Sequence, residues 1–310
     1  GAWLGGGPLR ASLLHGIRGE PGGMTSLERN PEVSVVIPTH NRAPILRECL
    51  DSVLAQSFES YEVIVVNDAS TDATRQILKR YRQTHGGRLQ VVRGSYGAPG
   101  LTRNAGAARA AGKYLLFTDD DCRVPKHWIE TMLETLHRRG ADALSGGFEA
   151  HRLQTPAERY QYYRMKALFG DKPKWVRAAP VINFLVPAQI FHETGGFPSQ
   201  PWESLEDWAL CFGLNEAGYR IFYDPTVKVT HRYKSTWRPV YQALRDTARR
   251  GPDLCQTSSG RIAMGGKAVL KYVSAPFGIP YFFPLDLWVA ALYLEHLFFW
   301  ARMRAVFMKR

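Results

Sequence analysis

From residue 33 the chain alternates short apolar runs with longer stretches of helical spacing. Val33–Ile37 (VSVVI) is a β-branched run closed by Pro38, the pattern of a strand buried on both faces. Pro44 suits the first turn of a helix, and Ile45, Leu46, Cys49, Leu50, Val53 and Leu54 then recur on one helical face. Tyr61–Val66 (YEVIVV) predicts a second buried strand. Asp68-Ala-Ser-Thr-Asp72 is rich in capping residues and leads into a helix through about Thr84. Leu89–Val92 predicts a third strand, Thr102–Ala111 an Ala-rich helix stopped at Gly112, and Lys113–Thr118 a fourth strand. Strand and helix in strict alternation over these residues predict an α/β fold with a doubly wound, mostly parallel sheet and helices on both faces.

Beyond residue 140 the pattern is less regular. Leu144–Phe148 reads as a strand, Thr155–Leu168 as a helix, Asp171–Pro180 as a loop and Gly195–Pro198 as a turn. Leu205–Gly218 reads as a helix and Tyr219–Tyr223 as a strand, with a further strand-like run at Val227–Thr230. Ile279–Ala301 is strongly apolar but interrupted by Pro284, Asp286, Glu295 and His296, too broken to cross a hydrocarbon core of about 30 Å. Its Trp288, Tyr293 and Trp300, followed by Arg302, Arg304, Lys309 and Arg310, predict an interfacial helix. Residues 1–30 carry little pattern and predict a flexible N-terminal segment, with Met24 a candidate natural start and residues 1–23 a leader or appended remnant. The organisation expected is therefore a flexible 1–30, a domain at 31–235 and a basic, aromatic-rich helical extension at 236–310. The domain divides into a regular first half (31–125) and a less regular second half (126–235).

Charge adds to this division. The chain of 310 residues has a formal net charge of +12. Residues 226–310 hold 14 Lys and Arg against 4 Asp and Glu, so the rest is nearly neutral. A near-neutral body with a basic, aromatic tail suits an anionic membrane surface, whereas a nucleic-acid groove would interleave aromatics with cations on one surface. The expectation is a membrane-surface partner and no nucleic acid. Four widely spaced cysteines, without a CxxC pair, argue against a disulfide scaffold and fit a reducing, cytoplasmic location at the inner face of the cell membrane.

In sheets of this kind ligands bind at the carboxyl ends of the strands, and the polar residues of interest fall there. Asp119-Asp120-Asp121 follows the fourth strand directly. Three adjacent carboxylates repel one another unless a cation is present, and Mg²⁺ or Mn²⁺ is the usual companion of a diphosphate; a solvated acidic turn is the plain alternative. Thr39 and Asp68 end neighbouring strands and could grip a base and ribose, or serve only the turns, as Asp72 does. Arg103 and Asn104 are placed at a helix opening, where a guanidinium and an N-terminus suit a diphosphate, although a solvated charge reads the same. Glu206-Asp207 begins a helix, as dipole partners or as a general base. His231 follows a strand-like run as a third metal ligand or a structural imidazole.

Taken in order, VVIPTHNR (35–42), VNDASTD (66–72), TRNAGAARA (102–110), FTDDDC (117–122), GGF (195–197), EDW (206–208) and His231 resemble the family 2 glycosyltransferases. The resemblance covers about Val33 to Tyr233. It implies the GT-A fold and an inverting, metal-dependent transfer from a nucleotide-diphosphate sugar, UDP- or GDP-linked, to a glycan or lipid-linked acceptor. It places Thr39, Asn41 and Arg42 in the first nucleotide-contacting loop, Asp68 opposite the base and Arg103 at the diphosphate. Pro38, Asn104 and Asp120 belong with them to the nucleotide-sugar site. Asp119 and Asp121 match the DxD motif, with Asp121 on the metal and Asp119 at the ribose and metal shell. His231 completes the metal site, Asp207 is the base and Glu206 its neighbour at the acceptor. The Q/R-x-x-R-W motif of processive members is absent around Ser235-Thr236-Trp237-Arg238, which points to transfer of single sugars. A nucleotidyltransferase would need a Gly-rich basic loop after the first strand, and His40-Asn41-Arg42-Ala43 has no Gly. A non-catalytic module binding anionic lipid or nucleic acid is the alternative outside enzymes.

Overall fold

The structure, a computed structural model, describes residues 31–201 and 204–254. The expected flexible segment 1–30 and the expected interfacial helix 279–301 lie outside the described residues, as does Cys255. Among the described residues no helix is long and apolar enough to cross a membrane. Cys49, Cys122 and Cys211 are buried free thiols.

The first half is built as the pattern predicts. Strands β1 (Val33–Thr39), β2 (Tyr61–Asp68), β3 (Leu89–Gly94) and β4 (Tyr114–Thr118) pair in parallel, with β1 between β2 and β4 and β3 outside β2. Helices α1 (Ala43–Leu54), α2 (Thr74–His85) and α3 (Pro99–Ala107) make the crossovers. The VSVVI run is apolar throughout because both faces are covered. Val33, Val35 and Ile37 pack in one core with Leu46, Leu50 and Ile77, whereas Val36 packs in a second with Ala107, Leu115 and Phe117. Full burial of each such side chain contributes about 1.5–3 kcal/mol.

One local expectation shifts. Helix α3 opens at Pro99, not Thr102, and ends at Ala107, so Arg103 and Asn104 lie inside the helix rather than at its N-terminus. Gly112 is not the helix stop. It lies where the chain crosses β1, its N–H donating to Ser34 Oγ at 2.9 Å, and an added Cβ would fall 2.6 Å from Ser34 N.

The second half is assembled from distant segments. It comprises β5 (Cys122–Arg123), α4 (Trp128–Arg139), β6 (Ala143–Ala150), α5 (Pro156–Phe169), β7 (Lys174–Val176), β8 (Asn183–Pro187), α6 (Ala188–Glu193), α7 (Glu206–Glu216), β9 (Ile221–His231) and α8 (Trp237–Leu254). The sheet runs β3-β2-β1-β4-β8-β6-β9-β5, with β7 on β9. Strand β8 inserts antiparallel between β4 and β6, and β9 lies parallel to β6, so β1–β4, β6 and β9 share one direction. The two runs expected at 219–223 and 227–230 are one strand, β9, and the expected 171–180 loop contains β7.

A bulge at Gly146/Gly147 lets β6 follow β9 past Pro225. A Cβ at Gly146 would lie 2.0 Å from Asn183 Nδ2, and one at Gly147 would lie 2.6 Å from Pro225 O. Asn183 knots the region: its Oδ1 accepts from Trp128 Nε1 at 2.8 Å, and its Nδ2 donates to Gly147 O at 3.1 Å and Val227 O at 2.8 Å. Helix α8 packs on α5, with the Tyr160 and Trp237 rings 5.6 Å apart.

Candidate active site

The carboxyl ends of β1, β2 and β4 bring Thr39, Asp68 and Asp119–Asp121 to one rim, because the strands are parallel and in register: Thr39 pairs with Asn67, and β4 ends at Thr118. A cavity of about 650 Å³ opens there. It is lined by Pro38, Thr39, Arg42, Asp68, Arg103 and the three aspartates, and also by Glu206 and His231. Thus residues 103 positions apart in sequence share one chamber.

Loops around the cavity are pinned by short polar side chains. Asp68 accepts from Tyr96 N at 2.6 Å, Gly97 N at 3.0 Å and Thr102 Oγ1 at 3.1 Å, which docks the β3–α3 loop over the cavity. Asn41, at φ 53°, accepts through Oδ1 from Thr71 N at 2.8 Å and Asp72 N at 3.3 Å. Asn41 does not line the cavity; it ties the β1–α1 loop to the β2–α2 loop. Asn104 also stands outside, clasping Phe197 by donating to its carbonyl at 2.9 Å and accepting from its N–H at 3.0 Å. That clasp gives the GGF turn a place, and Gly196 (φ 66°) approaches so closely that a Cβ would meet Asn104 Oδ1 at 2.8 Å.

Arg103 is the hub. Its buried guanidinium donates to Asp119 Oδ1 at 2.6 Å and Glu206 Oε1 at 3.2 Å, and it lies 3.9 Å from Asp207 Oδ1. Three carboxylates around one guanidinium stabilise its charge, and they raise its already high pKa. Glu206 and Asp207 are raised too, which for an acid disfavours the charged form. Burial, with Glu206 beside it, raises Asp207 to about 7, and burial raises Glu206 as well. Asp207 Oδ2 accepts from Val181 N at 3.0 Å, whereas its buried Oδ1 has no hydrogen-bond partner among the described residues. Leu205, directly before the pair, takes φ 69°, a left-handed backbone that sets the start of α7. Asp207 lines a smaller cavity of about 160 Å³ with Met165, Leu168, Pro180 and Trp208, and Glu206 faces both chambers.

The acidic triplet is held differently at each residue. Asp120 is buried and raised to about 7, chiefly by burial and Asp121. Arg42 Nε lies 3.7 Å from Asp120 and Arg42 Nη2 3.8 Å from Asp121. Asp121 Oδ1 lies 3.2 Å from His231 Nε2, and although burial opposes it, His231 and nearby cations bring the carboxyl down to about 2. Strand pairing creates that contact. Cys122 faces His231 across β5 and β9, and Arg232 N donates to Asp121 O at 3.0 Å. Asp121, Cys122 and His231 offer three ligand atoms within 4.8 Å of one another. Apart from the His231 Nε2 contact, Asp121 Oδ1 has no hydrogen-bond partner among the described residues, and the buried His231 Nδ1 has none. A carboxylate and an imidazole left short of partners fit a divalent cation such as Mn²⁺. Burial raises the Cys122 thiol well above its usual pKa, and sulfur is a soft donor poorly matched to a hard ion.

Several residues at the site were given no role by the motifs, although His40 lies within VVIPTHNR. His40, Gln161, Arg232 and Lys234 line the main cavity. The trace that Arg232 and Lys234 leave in the sequence is the cluster of basic residues directly after His231. The half-exposed Trp175 stands away from both chambers, under the Arg220 guanidinium at 4.6 Å.

The family model described as Glycosyl transferase family 2 matches residues 34–197, just over half the chain. The chain belongs to glycosyltransferase family 2. Among curated relatives, Glycosyltransferase AglE of Haloferax volcanii is 30% identical over 181 residues, 54% of this chain and 57% of that protein. The poly(ribitol-phosphate) beta-N-acetylglucosaminyltransferase TarS of Staphylococcus aureus is 33% identical over 113 residues, 36% of this chain and 20% of that one. The chain thus spans less than two thirds of the length of these relatives. Among solved structures, the mannosyltransferase PcManGT of Pyrobaculum calidifontis, in complex with GDP-Man and Mn²⁺, superposes with a TM-score of 0.62 at 19% identity, covering 92% of this chain and 90% of that one. TarS 1–349 with UDP-GlcNAc gives 0.55 at 19% identity, covering 89% and 88%. At those identities the likeness concerns the fold, and it is the GT-A fold that the motifs implied.

Proposed function

We propose that this family 2 domain transfers one sugar, with inversion, from a nucleotide-diphosphate sugar to an acceptor hydroxyl, with Asp207 as general base. The observation that carries the reading is the Arg103 hub, which ties the acidic triplet after β4 to the Glu206-Asp207 pair opening α7. The donor lies along the main cavity, its base toward Asp68 and its diphosphate toward Asp119–Asp121. Asp121 and His231, with Asp119 near, would hold Mn²⁺ or Mg²⁺. When bound, the cation neutralises charge on the departing diphosphate. The acceptor oxygen forms a bond to the anomeric carbon as the bond to the diphosphate oxygen breaks, and Asp207 takes the hydroxyl proton. A carboxyl raised to about 7 suits that task near neutral pH, and Glu206, shared by both chambers, orients the acceptor.

The smaller chamber beside Asp207 is the proposed entry of the acceptor, a lipid-linked or surface glycan met at the inner face of the membrane. The basic, aromatic residues 236–310 support that location.

The test is a thermal-shift panel of UDP, GDP, CDP and dTDP, each with Mn²⁺ and with EDTA. A diphosphate at about 100 times its dissociation constant adds about 2.7 kcal/mol to stability. One nucleotide that stabilises only with metal is expected and names the donor class. No stabilisation by any of them overturns the donor reading. For the membrane, removing residues 285–310 should shift the protein out of the membrane fraction, and an unchanged distribution would end that part of the proposal.

A further inference from the structure

The sequence assigns Arg103 to the diphosphate, yet its guanidinium is engaged by Asp119 and Glu206 inside the protein. A leaving diphosphate then needs a different cation from the chain. Four basic residues face the Asp121 end of the main cavity: Arg42, His231, Arg232 and Lys234. Arg232 is used by Glu48, to which both carboxylate oxygens lie at 2.7 Å. His231 lies on Asp121. Arg42 stands 3.7 and 3.8 Å from Asp120 and Asp121, too long for good charge-assisted hydrogen bonds. Lys234 makes no ion pair within 4.0 Å among the described residues.

Lys234 is nonetheless held in place. Gln161 clasps its main chain from both sides, donating to Lys234 O at 2.8 Å and accepting from Lys234 N at 3.3 Å. The preceding turn is fixed by the bond from Arg232 N to Asp121 O. The side chain is half-buried and stands in the wall shared by the main cavity and a second one of about 250 Å³ that also reaches Asp121 and Arg42. A half-buried lysine whose main chain is anchored and which has no ion-pair partner among the described residues, beside the carboxylate that would hold the cation, is the arrangement expected opposite an incoming anion.

Resting on the donor reading above, we propose that Lys234, assisted by Arg42, is the chain's own cationic contact to the diphosphate. It receives the charge that develops on the leaving group, with Gln161 as its positioning residue. Arg103 serves instead to hold Asp119, Glu206 and Asp207 in one constellation.

The experiment compares the whole protein with K234M and K234R by calorimetry in Mn²⁺, using UDP, GDP, UMP, GMP and inorganic pyrophosphate. A charged hydrogen bond lost to Met should weaken diphosphate and pyrophosphate binding about 10- to 100-fold. Monophosphate binding should change less than about 3-fold, and K234R should recover most of the loss. Q161L should show the same pattern at smaller amplitude. Equal loss for mono- and diphosphates would mark a structural residue and overturn the proposal. So would unchanged diphosphate binding in K234M, which would leave the donor reading standing. Lys234-dependent pyrophosphate binding with no nucleotide binding would keep the anion site and remove the donor reading. Wild-type protein that binds none of these ligands would remove both.

Discussion

The two halves of the sheet reach the same site by opposite routes. In β1–β3 each strand meets its neighbour through a single helix, and α3 carries the chain back to the other side of β1, so Val33 pairs with Tyr61 and again with Tyr114 of β4 in parallel register. In the second half the decisive contacts are remote. Cys122 pairs with His231, Leu144 with both Leu185 and Phe222, and Arg103 reaches Glu206 103 positions on. Nearby pairing yields a nucleotide-type rim from local pattern alone. Remote pairing brings further charged groups to that rim: His231 beside Asp121, and Asp207 beside Arg103.

The sharpest way to break this comparison is at the hub that joins the halves. Arg103→Met keeps the stem but leaves Asp119, Glu206 and Asp207 facing one another with no counter-charge. Loss of one partner from a buried ionic network typically costs about 3–5 kcal/mol. Urea unfolding should show a loss of that size, accompanied by loss of nucleotide binding. A loss below about 1 kcal/mol would mean that the acids are solvated and the halves are not joined here.

Asp207→Asn separates the halves without unfolding them. The amide can still face Val181 N through its oxygen, so the fold and the donor rim should persist. Turnover should fall about 10²–10⁴-fold, the range for a general base, while nucleotide binding in Mn²⁺ stays within about 3-fold. In the wild type, turnover should climb with pH, pass half-maximum at about 7, where Asp207 loses half its proton, and level off above that. The same raised pKa has a stability sign. The folded state holds a proton that the unfolded chain releases near its ordinary value of 3.8, so this group's contribution falls as pH rises from about 4 to about 7. Melting in EDTA across that window should move down with pH where Asp207 and Asp120 dominate, and an upward drift would contradict both assignments.

The first half was legible because its signals are local. VSVVI, YEVIVV and the acidic triplet each state their own position, and parallel crossovers admit few arrangements. Arg103 was legible as a site residue, but its partners were not, because a helix that opens at Pro99 turns it inward toward an acid on α7. Strand β8 was missed because NFLVP is short and bounded by no turn signal before Gly195. Lys234 and Gln161 were invisible because their meeting is set by where α5 packs against the end of β9. No period in a sequence encodes that meeting.

Gly146→Ala probes the second half where its register depends on close approach. The new methyl would lie 2.0 Å from Asn183 Nδ2 and 2.5 Å from Val227 O, both fixed within a buried knot. Overpacking of this kind costs about 1–3 kcal/mol. Because the bulge sets the course of β9 toward His231, metal-dependent stabilisation by nucleotide should weaken along with the fold. Retained Mn²⁺ dependence at reduced stability would show instead that the Asp121–His231 contact is fixed by β5 alone.

The smallest expected effect lies in the first half, at Asn41. Its side chain accepts from two backbone N–H groups of the neighbouring loop, and its φ of 53° is one that Asn tolerates better than most residues. Asn41→Gly removes the clasp but keeps the backbone free to adopt that angle, so the cost should be about 1 kcal/mol. Asn41→Ala removes the clasp and adds the left-handed strain, about 1 kcal/mol more. Both losses should appear in the melting temperature while nucleotide affinity stays nearly constant, because Asn41 does not line the cavity. If affinity falls 10-fold or more in Asn41→Gly, with the melt little changed, then Asn41 meets the nucleotide after all. The first half would then close around its ligand instead of receiving it on a preformed rim.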